Sequence, residues 1–90
     1  MKPTAKQETL AAFFDALSHP RRQMLFQILQ DAGREGLAFH HLKKRTGLTP
    51  TTLAFHLKKM QDGRILDRKI KGVETWLRLN TAPFALFPLP

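Results

Sequence analysis

Between residues 49 and 59 the chain reads Thr49-Pro-Thr-Thr-Leu-Ala-Phe-His-Leu-Lys-Lys59. Hydroxyls, ammonium groups, an imidazole and a phenyl ring recur there at helical spacing. Threonine hydroxyls and lysine ammonium groups can meet phosphate oxygens and base edges, and a phenyl ring can meet a thymine methyl. Thr49, Thr51, Thr52, Phe55 and His56 are candidates for reading a base sequence. Lys58 and Lys59, with Arg68, Lys69 and Lys71 further on, are candidates for holding a polyanion. Each has a plainer reading beside this one. Thr51 and Thr52 also suit the first turn of any helix, Phe55 could pack on a neighbouring element, and lysines solvate any exposed face.

Other chemistries find less support. The histidines are His19, His40, His41 and His56. Adjacent residues on a helix point about 100° apart, so His40 and His41 are not expected to share a metal. His19 and His56 have no second ligand three or four residues away, and zinc sites need three or four convergent ligands. There is no cysteine, hence no thiolate metal site and no thiol redox chemistry. No serine or histidine has the acid–base partners of a nucleophilic site, and no glycine-rich phosphate loop is present. The expectation is a protein that is not an enzyme and needs no metal or cofactor.

Charge points the same way. The chain carries +8 overall. Residues 1–33 hold four basic and three acidic groups, a net of +1, whereas residues 34–90 hold eleven basic and four acidic groups, a net of +7. The positive charge therefore accompanies the threonine- and lysine-bearing segment, and a nucleic acid is the partner such a half expects. A solvated basic face that only aids solubility is the plain alternative.

Ninety residues make one small domain, which buries only about 60–65% of its unfolded surface. Association with a second copy would add buried area. The N-terminal residues hold no apolar run suited to a signal peptide, and no run of about 18 apolar residues could span a membrane. A cytoplasmic protein with no membrane partner is expected.

The elements that must position the candidate residues follow from periodicity and caps. Thr4 and Gln7 fit a capping box, so a first helix starts near Ala5. Leu10, Phe13, Phe14 and Leu17 form its apolar stripe. Two adjacent phenylalanines exceed what one thin core needs, which suggests that this helix also faces a second subunit. Ser18 suits the N-cap of a second helix with Pro20 in its first turn. Met24, Leu25, Ile28 and Leu29 give that helix a buried face, and Gly33 and Gly36 end it. Arg21 and Arg22 sit early in it, against the helix dipole, so they should have partners, acidic or phosphate.

A third helix is expected over Phe39–Thr46 with Leu42 inward. Gly47 supplies the turn, because glycine takes positive φ freely. Thr49 then caps a fourth helix with Pro50 at its first position. Leu53, Leu57 and Met60 fall on its inner face. Thr51, Thr52, Phe55, Lys58 and Lys59 are left outside, with His56 at the edge. Two helices joined by a tight turn, the second presenting polar groups, make a helix-turn-helix over about residues 38–62.

Beyond Gly63 the period becomes two. Ile65–Ile70 and Val73–Leu79 flank Lys71-Gly72 and read as a β-hairpin, a wing over about residues 64–79. A turn at Lys71-Gly72 would pair Ile70 with Val73, Lys69 with Glu74, Arg68 with Thr75 and Leu66 with Leu77. The apolar tail over residues 81–90 is broken by Pro83, Pro88 and Pro90. It should pack in extended form rather than as a regular helix, burying Phe84 and Phe87 on the domain or between subunits. The fold class is thus mainly α with a small β-hairpin, a winged helix-turn-helix domain over residues 1–80. Leu10, Phe13, Phe14, Leu17, Phe84 and Phe87 are the candidate dimer-interface residues.

Several segments, in this order and spacing, resemble the ArsR-type (arsenic-repressor-like) transcriptional regulators. They are Ala16-Leu-Ser-His-Pro-Arg-Arg22, Leu42 through Gly47-Leu-Thr49, Thr52-Leu-Ala-Phe-His-Leu-Lys58 and Asp62-Gly-Arg-Ile-Leu66. The resemblance covers roughly residues 10–79. It implies a homodimeric repressor that binds a pseudo-palindromic double-stranded operator and is released by a signal. It also implies that Thr51, Thr52, Phe55 and His56 read the major groove, while Lys58 and the basic residues of the wing hold the backbone. Two departures stand out. Metal-sensing members carry a Cys-x-Cys pair on the third helix where this chain has Ala38 and His40, so thiolate sensing is not expected. Members also commonly end in a further helix that forms the dimer interface, where this chain has its proline-rich tail. The alternative function is a winged-helix protein-interaction module whose first helix and tail dock a protein partner.

Overall fold

The computed structural model describes residues 1–86. Helix α1 covers Ala5–Leu17, helix α2 Pro20–Ala32, and a single 3-10 turn Gly33–Glu35 follows. Strand β1 is Leu37–Ala38, helix α3 Phe39–Thr46 and helix α4 Pro50–Asp62. Strands β2 (Leu66–Lys71) and β3 (Glu74–Leu79) form the hairpin, and a short helix α5 covers Ala82–Leu86. The three strands lie in the order β1-β3-β2, all neighbours antiparallel. This is a winged helix.

Local chemistry sets the helix ends. The Thr4 hydroxyl accepts from the Gln7 N–H at 3.1 Å while the Gln7 side chain accepts from the Thr4 N–H at 2.9 Å, the reciprocal capping box expected from sequence. Thr49 caps α4 by accepting from the Thr52 N–H at 3.2 Å, with Pro50 in the first position. Gly47 closes α3 in the left-handed region at φ 69°, where a side chain would be strained. Ser18 behaves differently from expectation. It ends α1, donating its hydroxyl to the Asp15 carbonyl at 2.9 Å. His19 is the N-cap of α2 instead, its Nδ1 accepting from the Arg21 N–H at 3.0 Å.

The core joins all three layers. Phe13 and Ala16 of α1, Leu25 and Leu29 of α2, Leu42 of α3, and Leu53, Leu57 and Met60 of α4 are buried together with Ile65, Leu66 and Leu77 of the wing base. Leu53 is fully enclosed; cutting such a residue back to alanine costs about 2–5 kcal/mol. α4 is thus held from both sides, by α1 and α2 and by the base of the hairpin.

The hairpin differs in register from the sequence reading. Lys71 pairs with Glu74, Lys69 with Trp76, Arg68 with Leu77 and Leu66 with Leu79. The loop is therefore Gly72-Val73, one residue later than Lys71-Gly72. Gly72 has φ 61° and Val73 is not in the left-handed region, the signature of a two-residue turn with glycine in its first central position. The partner of each residue moves by two, so every side chain keeps its face. Asp67 now lies opposite Arg78, 3.6 Å from it. Strand β1 was not expected at all; it adds Leu37 opposite Leu77 and Ala38 opposite Trp76.

The tail also departs from expectation. Residues 82–86 form a short helix rather than an extended segment. The Asn80 side-chain oxygen accepts from the Ala82 N–H at 3.0 Å, and Pro83 falls in the first turn, where no N–H is needed. Phe84 packs edge-on against Phe13 with ring centroids 5.1 Å apart, and against Phe26 at 5.9 Å. Phe87 lies outside the described residues.

Candidate nucleic-acid interface

α4 has two distinct sides. Leu53, His56, Leu57 and Met60 are buried, while Thr51, Ala54, Phe55 and Lys58 are exposed and Thr52 and Lys59 are half-buried. Thr49, Thr51 and Thr52 crowd the N-terminal turn. The Thr49 hydroxyl, having accepted from the Thr52 backbone, donates to the Thr52 hydroxyl at 3.0 Å. The Thr52 hydroxyl proton remains available for an outside acceptor. Phe55 stands 55% exposed, with the His56 ring 5.4 Å and the Lys59 ammonium 5.8 Å from its centroid.

His56 is a correction. It is 3% exposed and cannot reach outward to a base. Its Nδ1 lies 3.0 Å from an Arg22 guanidinium nitrogen. Arginine can only donate, so His56 is the acceptor there and is neutral. Arg22 is itself buried; it donates to the Asp15 carbonyl at 2.9 and 3.2 Å and to the Ser18 hydroxyl at 3.4 Å. Its ion-pair partner is the Asp15 carboxylate at 3.7 Å. The partner expected for Arg22 is therefore acidic and internal. Burial, then the neighbouring His19, Arg22 and Arg21, hold the His56 pKa below the usual histidine value. The His19 ring lies 4.6 Å from that of His56.

The lysines divide too. Lys58 projects from the exposed side, 3.4 Å from Asp62 one turn on. Lys59 turns toward α1, where its ammonium is 3.5 Å from Asp15. On the hairpin, strand alternation separates the basic residues of the wing onto two faces. Arg68 shares a face with Leu66, Leu77 and Thr75, whereas Lys69 and Lys71 lie on the opposite face with Glu74, Trp76 and Arg78. Arg68 faces α4: a groove of about 620 Å³ runs between helix and hairpin, floored by Phe39, Leu57 and Leu77 and edged by Lys58 and Arg68. The Lys71 ammonium sits 4.2 Å above the Trp76 ring, and the Trp76 indole N–H donates to Glu74 at 3.1 Å.

His40 and His41, expected to diverge, have their rings 4.1 Å apart, and His40 lies 3.7 Å from Glu74. Among the described residues no three histidine, aspartate or glutamate side chains converge to hold a metal ion. None of the described helices is long and apolar enough to cross a membrane. Of the residues assigned to a dimer interface, Phe13 belongs to this domain's own core at 5% exposure, while Phe14 is 54% and Phe84 37% exposed. Leu10 and Leu17 are half-buried.

Ala54 is among the exposed residues of α4 that sequence reasoning passed over. Its signal was available: it falls one turn after Thr51 and one before Lys58, on the side opposite Leu53 and Leu57. Alanine simply carries no polar group to draw attention.

Comparison with known proteins fits this geometry. The HTH-type transcriptional regulator YgaV of Escherichia coli (strain K12) is 33% identical over 63 residues, which cover 70% of this chain. This chain spans only 62% of that relative's length. The crystal structure of a possible transcriptional regulatory protein (fragment 1-100) from Mycobacterium bovis superposes with a TM-score of 0.75. That match covers 94% of this chain and 88% of the other at 21% identity, a likeness of fold. The helix-turn-helix domain family model matches residues 17–69, the stretch from the end of α1 to the middle of β2, and the chain belongs to that family.

Proposed function

We propose that this protein is a sequence-specific, double-stranded-DNA-binding transcriptional regulator. One observation carries the reading: the exposed side of α4, with Thr51, Thr52, Phe55 and Lys58, stands beside a groove edged by Arg68, in the half of the chain that holds a net +7. A helix so presented fits the major groove, and the strand of phosphates flanking it would lie between Lys58 and Arg68. Thr49 serves as the cap that sets the entry of α4. Lys59 adds charge from the α1 side, and Lys69 and Lys71 add it from the far face of the wing. The relative's description as a transcriptional regulator agrees.

The finer form of the reading is a homodimeric repressor of ArsR type on a pseudo-palindromic operator, acting in the cytoplasm and not gated by thiolate metal binding. Zero cysteines support the last point. The exposed Phe14 and Phe84, both in contact with Phe13, support a second copy seated on α1 and α5. A two-fold pair would place its two reading helices about 34–36 Å apart, one turn of duplex.

Selection of bound duplexes from a random library tests the reading. An inverted repeat should emerge, and its affinity should fall steeply with salt as phosphates release their counterions. Phe55→Ala should lower affinity for the selected duplex more than for random duplex. Absence of duplex affinity at low salt would overturn the proposal in favour of a protein-interaction module. For the dimer, Phe14→Asp should give monomers in sedimentation; Phe13→Asp would instead disrupt the core.

A further inference from the structure

We infer that the half-site under α4 is read chiefly through thymine methyl groups, by Thr51, Ala54 and Phe55. This inference rests on the DNA-binding reading above. The side chains that distinguish guanine and adenine by paired hydrogen bonds are arginine or lysine for guanine and asparagine or glutamine for adenine. The exposed positions over the first two turns of α4 hold none of them; beyond Pro50 at the helix start they are Thr51, Ala54 and Phe55. Those three types are the ones whose apolar groups meet the C5-methyl of thymine in the major groove. The next exposed residue, Lys58, has Asp62 at 3.4 Å to hold its ammonium, and Lys59 is drawn to Asp15. The imidazole that could have offered a hydrogen bond to a base, that of His56, is buried against Arg22.

The outer side of α4 leaves methyl and phenyl surface exposed at Ala54 and Phe55. Phe55 keeps more than half of its surface in water, and a phenyl ring so placed gains by covering apolar surface on its ligand. Thymine methyls are the apolar surface that the major groove offers. Positive charge around the helix brings the duplex, and the helix itself contributes shape and apolar contact. Selected half-sites should therefore carry T·A or A·T pairs at the two or three positions under α4, with guanine confined to positions reached by the wing.

The test removes the methyls without changing any hydrogen bond. Duplexes selected from a random library are resynthesised with deoxyuridine in place of thymidine, one position at a time. Each replacement under α4 should weaken binding about fourfold, the worth of one buried methyl-sized group. Phe55→Ala should bind the thymine and uracil duplexes alike at the position it touches, while its urea unfolding curve stays that of the parent. Selected half-sites with G·C pairs under the helix, or uracil duplexes bound as tightly as thymine duplexes, would overturn the methyl reading while leaving DNA binding intact. Failure to select any sequence from the library would overturn the regulator reading and this inference with it.

Discussion

The two sides of α4 are built on opposite principles. The inner side places a polar residue, His56, in a buried hydrogen-bond network with an arginine that binds the end of α1. The outer side places an apolar residue, Phe55, in water. Ordinary folding economy would exchange them. The inner arrangement fixes where the helix sits, since Arg22 reaches α1, the α1–α2 junction and α4 together. The outer arrangement leaves more than half of an aromatic ring exposed. A helix held on its inner side by the core and by the His56–Arg22 contact, with an aromatic ring exposed on its outer side, is suited to present that second side to something else. Substitutions on the inner side should therefore register as stability, and those on the outer side as binding.

The largest expected effect lies inside. Arg22→Ala leaves the His56 Nδ1 buried without a donor and opens a void among α1, α2 and α4. The Asp15 carbonyl keeps its bonds from the Ser18 N–H and hydroxyl, so the loss centres on His56. A cost of about 3 kcal/mol is expected from the cavity and the orphaned acceptor, measured by urea unfolding. The double variant Arg22→Met with His56→Phe should recover much of it, because replacing both partners with apolar groups removes the unmet hydrogen bond. If Arg22→Ala unfolded with the parent's midpoint, the inner side would not be what anchors the helix. Phe55→Ala, one residue away from His56, should change stability by less than about 0.5 kcal/mol.

Proton uptake probes the same network with a smaller effect. The folded protein holds His56 neutral, with its pKa lowered by burial and by His19, Arg22 and Arg21. In the unfolded chain it titrates near the ordinary value of about 6.5. The unfolded state thus takes up a proton first as pH falls, so the stabilising contribution is whole above about pH 6.5 and is lost between there and the lower folded pKa. Unfolding free energy should decline through that window. His56→Gln, which keeps an acceptor but cannot be protonated, should flatten the decline, while Asp15 and Lys59, the other charged groups about this contact, keep their ion pair. An unchanged pH profile in the Gln variant would show that the acid sensitivity arises elsewhere.

How far sequence reached follows the same division. α1 and α4 were legible because capping residues and a 3.6-residue apolar repeat are local signals, and α3 because Gly47 marks its end. The Thr49-Pro50 start of α4 came directly from such a cap. His56 was misplaced because a helical repeat puts it on the boundary between faces, and residue type then argued for the outside. What draws it inward is Arg22, far away in sequence, and only the odd position of a cation in the first turn of α2 hinted at a partner. Strand β1 has two residues, too few to display a period. The hairpin's face alternation was legible, but its register was not, since shifting each partner by two preserves every inward and outward assignment. Leu66, Leu77 and Leu79 can pair in either arrangement, and only the observed pairing of Lys71 with Glu74 fixes the turn at Gly72-Val73.

The hairpin offers an intermediate test. Arg68 faces the groove beside α4, and Lys69 faces away. If phosphates run between helix and wing, Arg68→Ala should weaken duplex binding at every sequence and lower the slope of log K against log salt by about one. Lys69→Ala should do less. Equal losses from the two would mean that the wing enters the DNA by its tip, with both faces in contact.

The smallest effect concerns Asp62. It is an acidic residue on the exposed side of α4, in the half of the chain with net charge +7. It lies 3.4 Å from Lys58 in the less favourable order, with the cation N-terminal to the anion. Such an exposed pair contributes at most a few tenths of a kcal/mol, so Asp62→Asn should leave the unfolding midpoint unchanged within about 0.5 kcal/mol. Its effect on DNA should be visible none the less. Removing the carboxylate takes away a repulsion from the phosphates and frees the Lys58 ammonium to reach one. Affinity for selected and random duplexes should rise together, by a few fold at low salt and less at high salt, because phosphate contacts carry no sequence information. A rise confined to the selected duplex would instead make Lys58 a reader of bases. No rise at either would place the last turn of α4 beyond the edge of the groove, shortening the reading surface to Thr51, Ala54 and Phe55.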